Sequence, residues 1–168
     1  GWRKARQDVS AGGAAEQLAI GGSVRLWDVA LQEWFINLRQ KMPEVAIIAE
    51  CHTPTLLTRR LLDGLLDVAF MLEPPQFDVL RVRKVALVQL VLVSDMINHK
   101  LEEALAEGYL MVDWGLAHAL EHRRIFPDSP EPHIRVGQAK IALNHLLHIG
   151  GSAYLPARMV AENIASGQ

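Results

Sequence analysis

With 168 residues, half of them hydrophobic, the chain can bury a substantial core and has room for one domain or two small lobes. Its 17 Lys and Arg against 19 Asp and Glu leave a formal net charge of −2, and no basic cluster recurs on one periodic face, which excludes the electrostatic footprint of a nucleic-acid binder. The single cysteine excludes an intrachain disulfide and fits a reducing compartment, no signal-like segment precedes the first strand, and the longest apolar run, 85–93, is too short to cross a bilayer as a helix; a soluble cytoplasmic protein with no membrane partner is expected.

Residues 1–9 are polar and basic and lead into Ser10-Ala11-Gly12-Gly13, which reads as the tail of a helix and a flexible joint, with further chain expected upstream. The segment 17–72 then reads as a βαβαβ unit. A short apolar strand, 17–21, is followed by a tight turn at Gly22-Ser23, and Trp27, Ala30, Trp34 and Leu38 recur at helical spacing until Pro43 stops the helix. A second apolar strand covers 45–51, with Cys51 expected as a small buried side chain. Thr53-Pro54 is an N-cap with proline at the first helical position, where a missing N–H costs nothing, and Gly64 closes that helix. A third strand is expected over 65–72, apolar except for Asp67 and buried on both faces. Trp27, Trp34 and Phe35 exceed what one buried stripe needs, so part of that helix face is expected to meet another chain, with core packing as the alternative for either tryptophan alone.

Glu73-Pro74-Pro75 breaks the chain, and 79–93 is expected to form one or two strands around a charged stretch, 81–84, that crosses to a second half. There a helix over 101–107 closes at Gly108, a strand covers 109–113, and a helix covers 116–123. After the proline-rich loop 127–132 come a short strand at 133–136, an amphipathic helix at 139–149, a strand at 151–155 and a last helix begun by Pro156. The expected organisation is a helix tail and hinge over 1–15, a first lobe over 16–84 and a second over 85–168. In open parallel sheets ligands bind beyond the carboxyl ends of the strands, so the expected site is an interlobe cleft reached by Gly21-Gly22-Ser23 and His52-Thr53 from one side and Asp113-Trp114-Gly115 and Gly137-Gln138 from the other. Each of these ends opens a helix, whose unpaired N–H groups favour a small anion such as a carboxylate.

These residues resemble the effector-binding domain of LysR-type bacterial transcriptional regulators over nearly the whole chain. The resemblance rests on Gly21-Gly22-Ser23, the helix 27–42 and Pro43-Glu44-Val45; on Leu61-Leu62-Asp63-Gly64-Leu65-Leu66-Asp67-Val68-Ala69; and on Gly150-Gly151-Ser152-Ala153-Tyr154-Leu155-Pro156, taken in this order and spacing. The family pattern has a Gly-x-Gly before the last of these, whereas Ile149 here holds the first glycine position. The resemblance implies an α/β domain of two Rossmann-like lobes, periplasmic-binding-protein-like in fold, with no enzyme activity and no cofactor. It also implies an N-terminal winged helix-turn-helix in full-length members, through which alone DNA would be bound. A strand crossing back to the first lobe and a closing helix would follow residue 168. The implied partners are a small-molecule inducer and further copies of the chain in a homodimer or higher homo-oligomer; the polarity of the strand ends points to a small organic or aromatic acid, and Trp114 and Cys51 would equally tolerate an aromatic compound. Carried over by position, inducer contacts fall on Ser23 with its neighbours Val24 and Arg25, on His52 and Thr53, and on Trp114 and Gln138. Ser23 and Thr53 also read as plain helix caps, and Arg25 as a solvated surface charge.

Two rival readings remain at the sequence level. A free-standing solute-binding protein would share the lobes. His118-Ala119-Leu120-Glu121-His122 matches the H-x-x-E-H zinc signature, in which two histidines one helical turn apart hold the metal and the glutamate activates water. The bland alternative is an amphipathic helix with Leu116 and Leu120 inward and the His and Glu residues wet, and His145 and His148 likewise read as surface. No G-x-S-x-G elbow, phosphate-binding loop or dinucleotide fingerprint occurs, which leaves an enzyme disfavoured.

Overall fold

In the computed structural model, which describes residues 16–73, 75, 77–85, 88–96 and 100–167, the chain divides into two units, Gly1–Arg83 and Lys84–Gln168. The expected helix tail and joint, 1–15, lies outside the described residues.

Unit 1 is built on a parallel three-stranded sheet in the order β2-β1-β3, with β1 (Gln17–Gly22) between β2 (Ala46–Cys51) and β3 (Val68–Phe70). Successive side chains on a strand point to opposite faces, and the adjacent glycines of β1 use both. A Cβ on Gly21 would lie 2.6 Å from methyls of Leu57 and Leu66, whereas one on Gly22 would run into Leu31 and Trp27. A helix therefore presses on each face at this end of β1, closer than any side chain would allow. Thr53 caps α2 (Pro54–Leu62), and Gly64 (φ 74°) closes it as expected. Ala19, Leu57 and Leu66 form the core on that side, with Leu61, Ala69 and Met71 packed against it.

Three expectations are corrected. The third strand starts only at Val68, because the N–H groups of Leu65 and Leu66 turn back to Arg60 O (2.8 and 3.2 Å) and finish α2. Asp67 then begins the pairing, its N–H donating to Ala19 O at 2.8 Å and its Oδ2 accepting from Ala19 N at 2.7 Å. Helix α1 is not one regular helix: an α-turn Val24–Leu26 and an α-helical body Gln32–Lys41 flank a π-helical segment Trp27–Leu31. The π segment adds a residue to the turn, so Leu26 and Leu31 are the buried positions instead of Ala30 and Trp34. Trp34 packs edge-on against Phe70 at 4.7 Å while staying partly exposed, and Trp27 packs against Phe35 at 6.1 Å. Cys51, expected in the core, is exposed at the end of β2, an edge strand whose side chains are mostly exposed or half-buried.

In unit 2, β4 (Leu90–Ser94) pairs antiparallel with β7 (Ser152–Pro156), β5 (Leu110–Val112) pairs parallel with β6 (Ile134–Val136), and one parallel bridge, Tyr109 to Ser152, joins the pairs. The described part of 79–89 carries no strand, so the expected crossing segment contributes only β4. Around the strands lie α3 (Leu101–Ala106), α4 (Leu116–Ile125), α5 (Ala139–His148) and α6 (Ala157–Ser166), with Ala104, Leu110, Ala142, Ala153 and Leu155 in the core. Pro156 ends β7 and caps α6. Gly151 (φ 115°) sits so close to Gly108 O that a Cβ would collide with it, and Gly150 (φ 100°) is likewise left-handed. The turn before β7 thus has both of its left-handed residues after Ile149, which stays right-handed.

Candidate functional site

The register of β1 and β2 sets up the carboxyl edge of unit 1. Gly22 lies opposite Cys51, and His52 N–H donates to Gly22 O at 3.2 Å, so Ser23 and His52 leave neighbouring strands side by side and each chain turns into a helix. Ser23 is buried, and its Oγ accepts from Leu26 N–H at 3.4 Å; Thr53 Oγ1 accepts from Leu56 N–H at 3.3 Å. Both hydroxyls are caps, and each still has a proton to donate. Val24 is exposed and Arg25 half-buried in the first turn of α1. His52 Nε2 is buried without a hydrogen-bond partner among the described residues and lies 3.6 Å from Glu50 Oε1. Glu50 is itself fixed: Arg60 Nε and Nη2 donate to its two carboxylate oxygens at 3.1 and 2.6 Å, and its backbone carbonyl accepts from Trp27 Nε1 at 2.9 Å. Sequence reasoning missed this clamp, because Glu50 and Arg60 belong to different elements and only strand alternation brings them to one face. An apolar groove of about 930 Å³ follows α2 from Thr53 to Leu62 and is lined also by Met71 and Phe77.

In unit 2 the carboxyl ends of β5 and β6 are tied by Asp113 N–H donating to Val136 O at 2.9 Å, and a pocket of about 410 Å³ opens there. Met111, Asp113, Gly115, Ala119, Arg135 and Gly137 line it together with Trp114. Trp114 is buried, and its indole N–H already donates to Tyr154 O at 3.0 Å, so it offers a ligand a ring surface and no hydrogen bond. Gln138 caps α5 without a side-chain hydrogen bond and is not among the residues of the pocket wall. Arg135 was the signal overlooked: it is paired in register with Met111, so both face the pocket, and its guanidinium also holds Glu131 at 2.6 Å.

The family model of the LysR substrate binding domain matches residues 11–168. The chain belongs to the LysR substrate-binding domain family. Among curated relatives, the HTH-type transcriptional regulator HdfR of Yersinia pestis (strain Pestoides F) is 24% identical, over 92% of this chain and 56% of the relative, and HdfR of Yersinia pseudotuberculosis serotype O:1b (strain IP 31758) matches to the same extent. The chain thus spans a little over half the length of these relatives. Among solved structures, CbnR, a LysR family transcriptional regulator, superposes with a TM-score of 0.72 at 18% identity, over 95% of this chain and 60% of that one. The regulatory domain of AphB from Vibrio vulnificus (variant C227S) gives 0.66 at 15% identity, over 91% and 80%. At such identities these structures show the shared fold.

In this LysR domain the H-x-x-E-H segment is occupied by packing. Both oxygens of Glu121 accept from Arg124, at 3.1 and 2.5 Å, and this pair holds the Glu121 carboxyl below its ordinary range. His122 Nε2 shares a 3.1 Å hydrogen bond with the Tyr109 hydroxyl, and its ring stacks on that of Tyr109 at 5.5 Å. His118 lies 5.7 Å from the Tyr154 ring and 6.2 Å from that of His122. The expected polarity of α4 is therefore reversed: Leu116 and Leu120 are 65% and 58% exposed, while the two histidines are turned toward the tyrosines. Among the described residues no group of three or more His, Cys, Asp or Glu side chains is arranged to hold a metal. His145 is half-buried, with Nδ1 2.9 Å from Gly150 O; His148 is exposed. No helix of the described residues is long and apolar enough to cross a membrane.

Proposed function

We propose that the chain is the small-molecule-sensing regulatory domain of a LysR-type transcriptional regulator, with lobes over 16–84 and 85–168, and that the effector is a small organic or aromatic acid. The observation that carries this reading is the β1–β2 register, which sets two capped helix starts, Ser23 and Thr53, beside His52, whose buried Nε2 has no hydrogen-bond partner among the described residues and lies 3.6 Å from Glu50 Oε1. Hydroxyl protons, helix N–H groups and an imidazole that can donate all favour a carboxylate at that edge. Val24 and Arg25 complete the first loop. Trp114 supplies an apolar ring surface in unit 2, and Gln138 caps α5 of that unit with its amide not engaged at the cap. In the whole regulator the effector favours one arrangement of lobes or of a homodimer by a coupling of about 1–3 kcal/mol, and a separate DNA-binding domain reads that change in the cytoplasm.

A thermal-shift panel of carboxylates, amino acids and aromatic acids tests it. A ligand that binds only the native chain at a hundred times its Kd adds about 2.7 kcal/mol, a rise in Tm on the order of 5–10 °C at this size. Ser23→Ala and Thr53→Ala, each compared with its own ligand-free Tm because each also loses a cap, are expected to remove most of that rise. A panel with no saturable shift, or a shift untouched in both variants, would overturn the assignment of the edge.

A further inference from the structure

α4 turns the wrong side chains inward for a helix whose only task is packing. Its leucines, Leu116 and Leu120, face solvent, and its inward positions are His118 and His122. We propose that this histidine face is an acid-sensitive latch, which holds α4 on Tyr109 and Tyr154 while both imidazoles are neutral and releases the helix when they are protonated.

Geometry decides the direction. A protonated imidazole donates from both nitrogens, and His118 Nε2 is buried with no acceptor among the described residues, so the added N–H would lose its hydration without replacement. Among the described residues the His122 ring has the Tyr109 hydroxyl as its hydrogen-bond partner, at 3.1 Å, and that oxygen also lies 3.6 Å from Met111 Sδ. The groups facing the pair are phenols and rings: Tyr109 just before β5, Tyr154 in β7, and Phe126 after α4, 5.3 Å from His122. Burial pushes both tyrosine hydroxyls above their ordinary range, so neither becomes the anion that would welcome an imidazolium. The charges nearby are engaged elsewhere: Glu121 with Arg124, Arg135 with Glu131, and Asp113 Oδ1 with Gly115 N–H at the first turn. Burial, and for His118 the neighbouring His122 ring, accordingly lowers both imidazoles below the ordinary value of 6.5.

The linkage has a definite sign. Below pH 6.5 the unfolded helix takes up protons that the packed one refuses, so the latch weakens as pH falls from 6.5 toward the lowered folded values and is at full strength above 6.5. Each unit by which packing lowers an imidazole favours release by about tenfold at pH below both values. The consequence reaches the strand-end pocket, because Ala119 of the same helix and Gly115, its N-cap, form part of the wall.

Hydrogen exchange on the whole chain at about pH 7.5 and about pH 5.5, corrected for intrinsic rates, reads the latch against α2, which has no histidine. The expected result is a loss of protection in 116–125 at the lower pH that α2 does not share. The double variant His118→Leu/His122→Leu is expected to lose the acid response. NMR titration of the two imidazoles in the wild-type chain gives an answer even if that variant does not fold. Equal protection at both pH values, a response that persists in the double variant, or imidazoles titrating at or above 6.5 in the folded chain would each overturn the latch.

Discussion

Two neighbouring glycines of β1 separate what a residue type makes legible from what it does not. A strand ending in Gly21-Gly22 announces close backbone approach, but only the structure assigns Gly21 to the α2 face and Gly22 to the α1 face. Gly22→Ala places a methyl against Leu31 and 2.9 Å from Trp27 Nε1, an atom already held by Glu50 O. Since the indole cannot retreat without breaking that bond, the substitution is expected to lower stability by about 1–3 kcal/mol in urea denaturation. A loss under about 0.5 kcal/mol, the range of an ordinary surface change, would mean that α1 is not seated on Gly22. Ser23 and Thr53 were readable for the opposite reason. An N-cap is a local device, a side-chain oxygen reaching three residues along its own chain, and the sequence contains all of it. Exposure of Cys51 was not readable, because an apolar run looks the same on a covered strand and on an edge.

At the scale of the element, order and type follow from periodicity, and the misplacements fall where hydrogen bonding departs from a regular repeat. The expected stripe on α1 assumed 3.6 residues per turn throughout, and with the π segment the inward positions become Leu31 and Phe35 in place of Ala30 and Trp34. The strand after α2 begins late because two leucines finish the helix before pairing starts, a choice made by backbone N–H groups and not by hydropathy. On α4 the deviation lies in polarity. Apolar spacing cannot reveal that a half-buried histidine has displaced a leucine when its partners lie outside the helix, Tyr109 just before β5 and Tyr154 in β7. A pair of truncations tests both corrections. Leu31→Ala removes a side chain that is 5% exposed and is expected to cost about 2–4 kcal/mol, whereas Leu120→Ala on the solvent side of α4 should stay within about 0.5 kcal/mol. The reverse ranking in denaturant midpoints would restore the regular amphipathic reading of both helices.

At the scale of the whole molecule the decisive quantity is charge. The chain spans only part of the length of its HTH-type relatives, and one neighbour in fold, full-length CbnR, was captured in a complex with its target DNA. Neutralising phosphates and releasing their counterions requires a concentration of Lys and Arg that a net charge of −2 does not supply, and several of the basic groups present are already paired, Arg60 with Glu50, Arg124 with Glu121 and Arg135 with Glu131. This chain by itself is therefore expected to leave duplex DNA unbound up to about 100 µM at physiological salt, near the weak end of nonspecific association. Fluorescence anisotropy of a short labelled duplex, repeated at about 50 and about 200 mM salt, is the measurement. Binding that fell steeply between the two salts would reveal a phosphate-contacting surface on this domain, and the proposed division of labour, in which it senses a ligand while a separate domain holds DNA, would have to be redrawn.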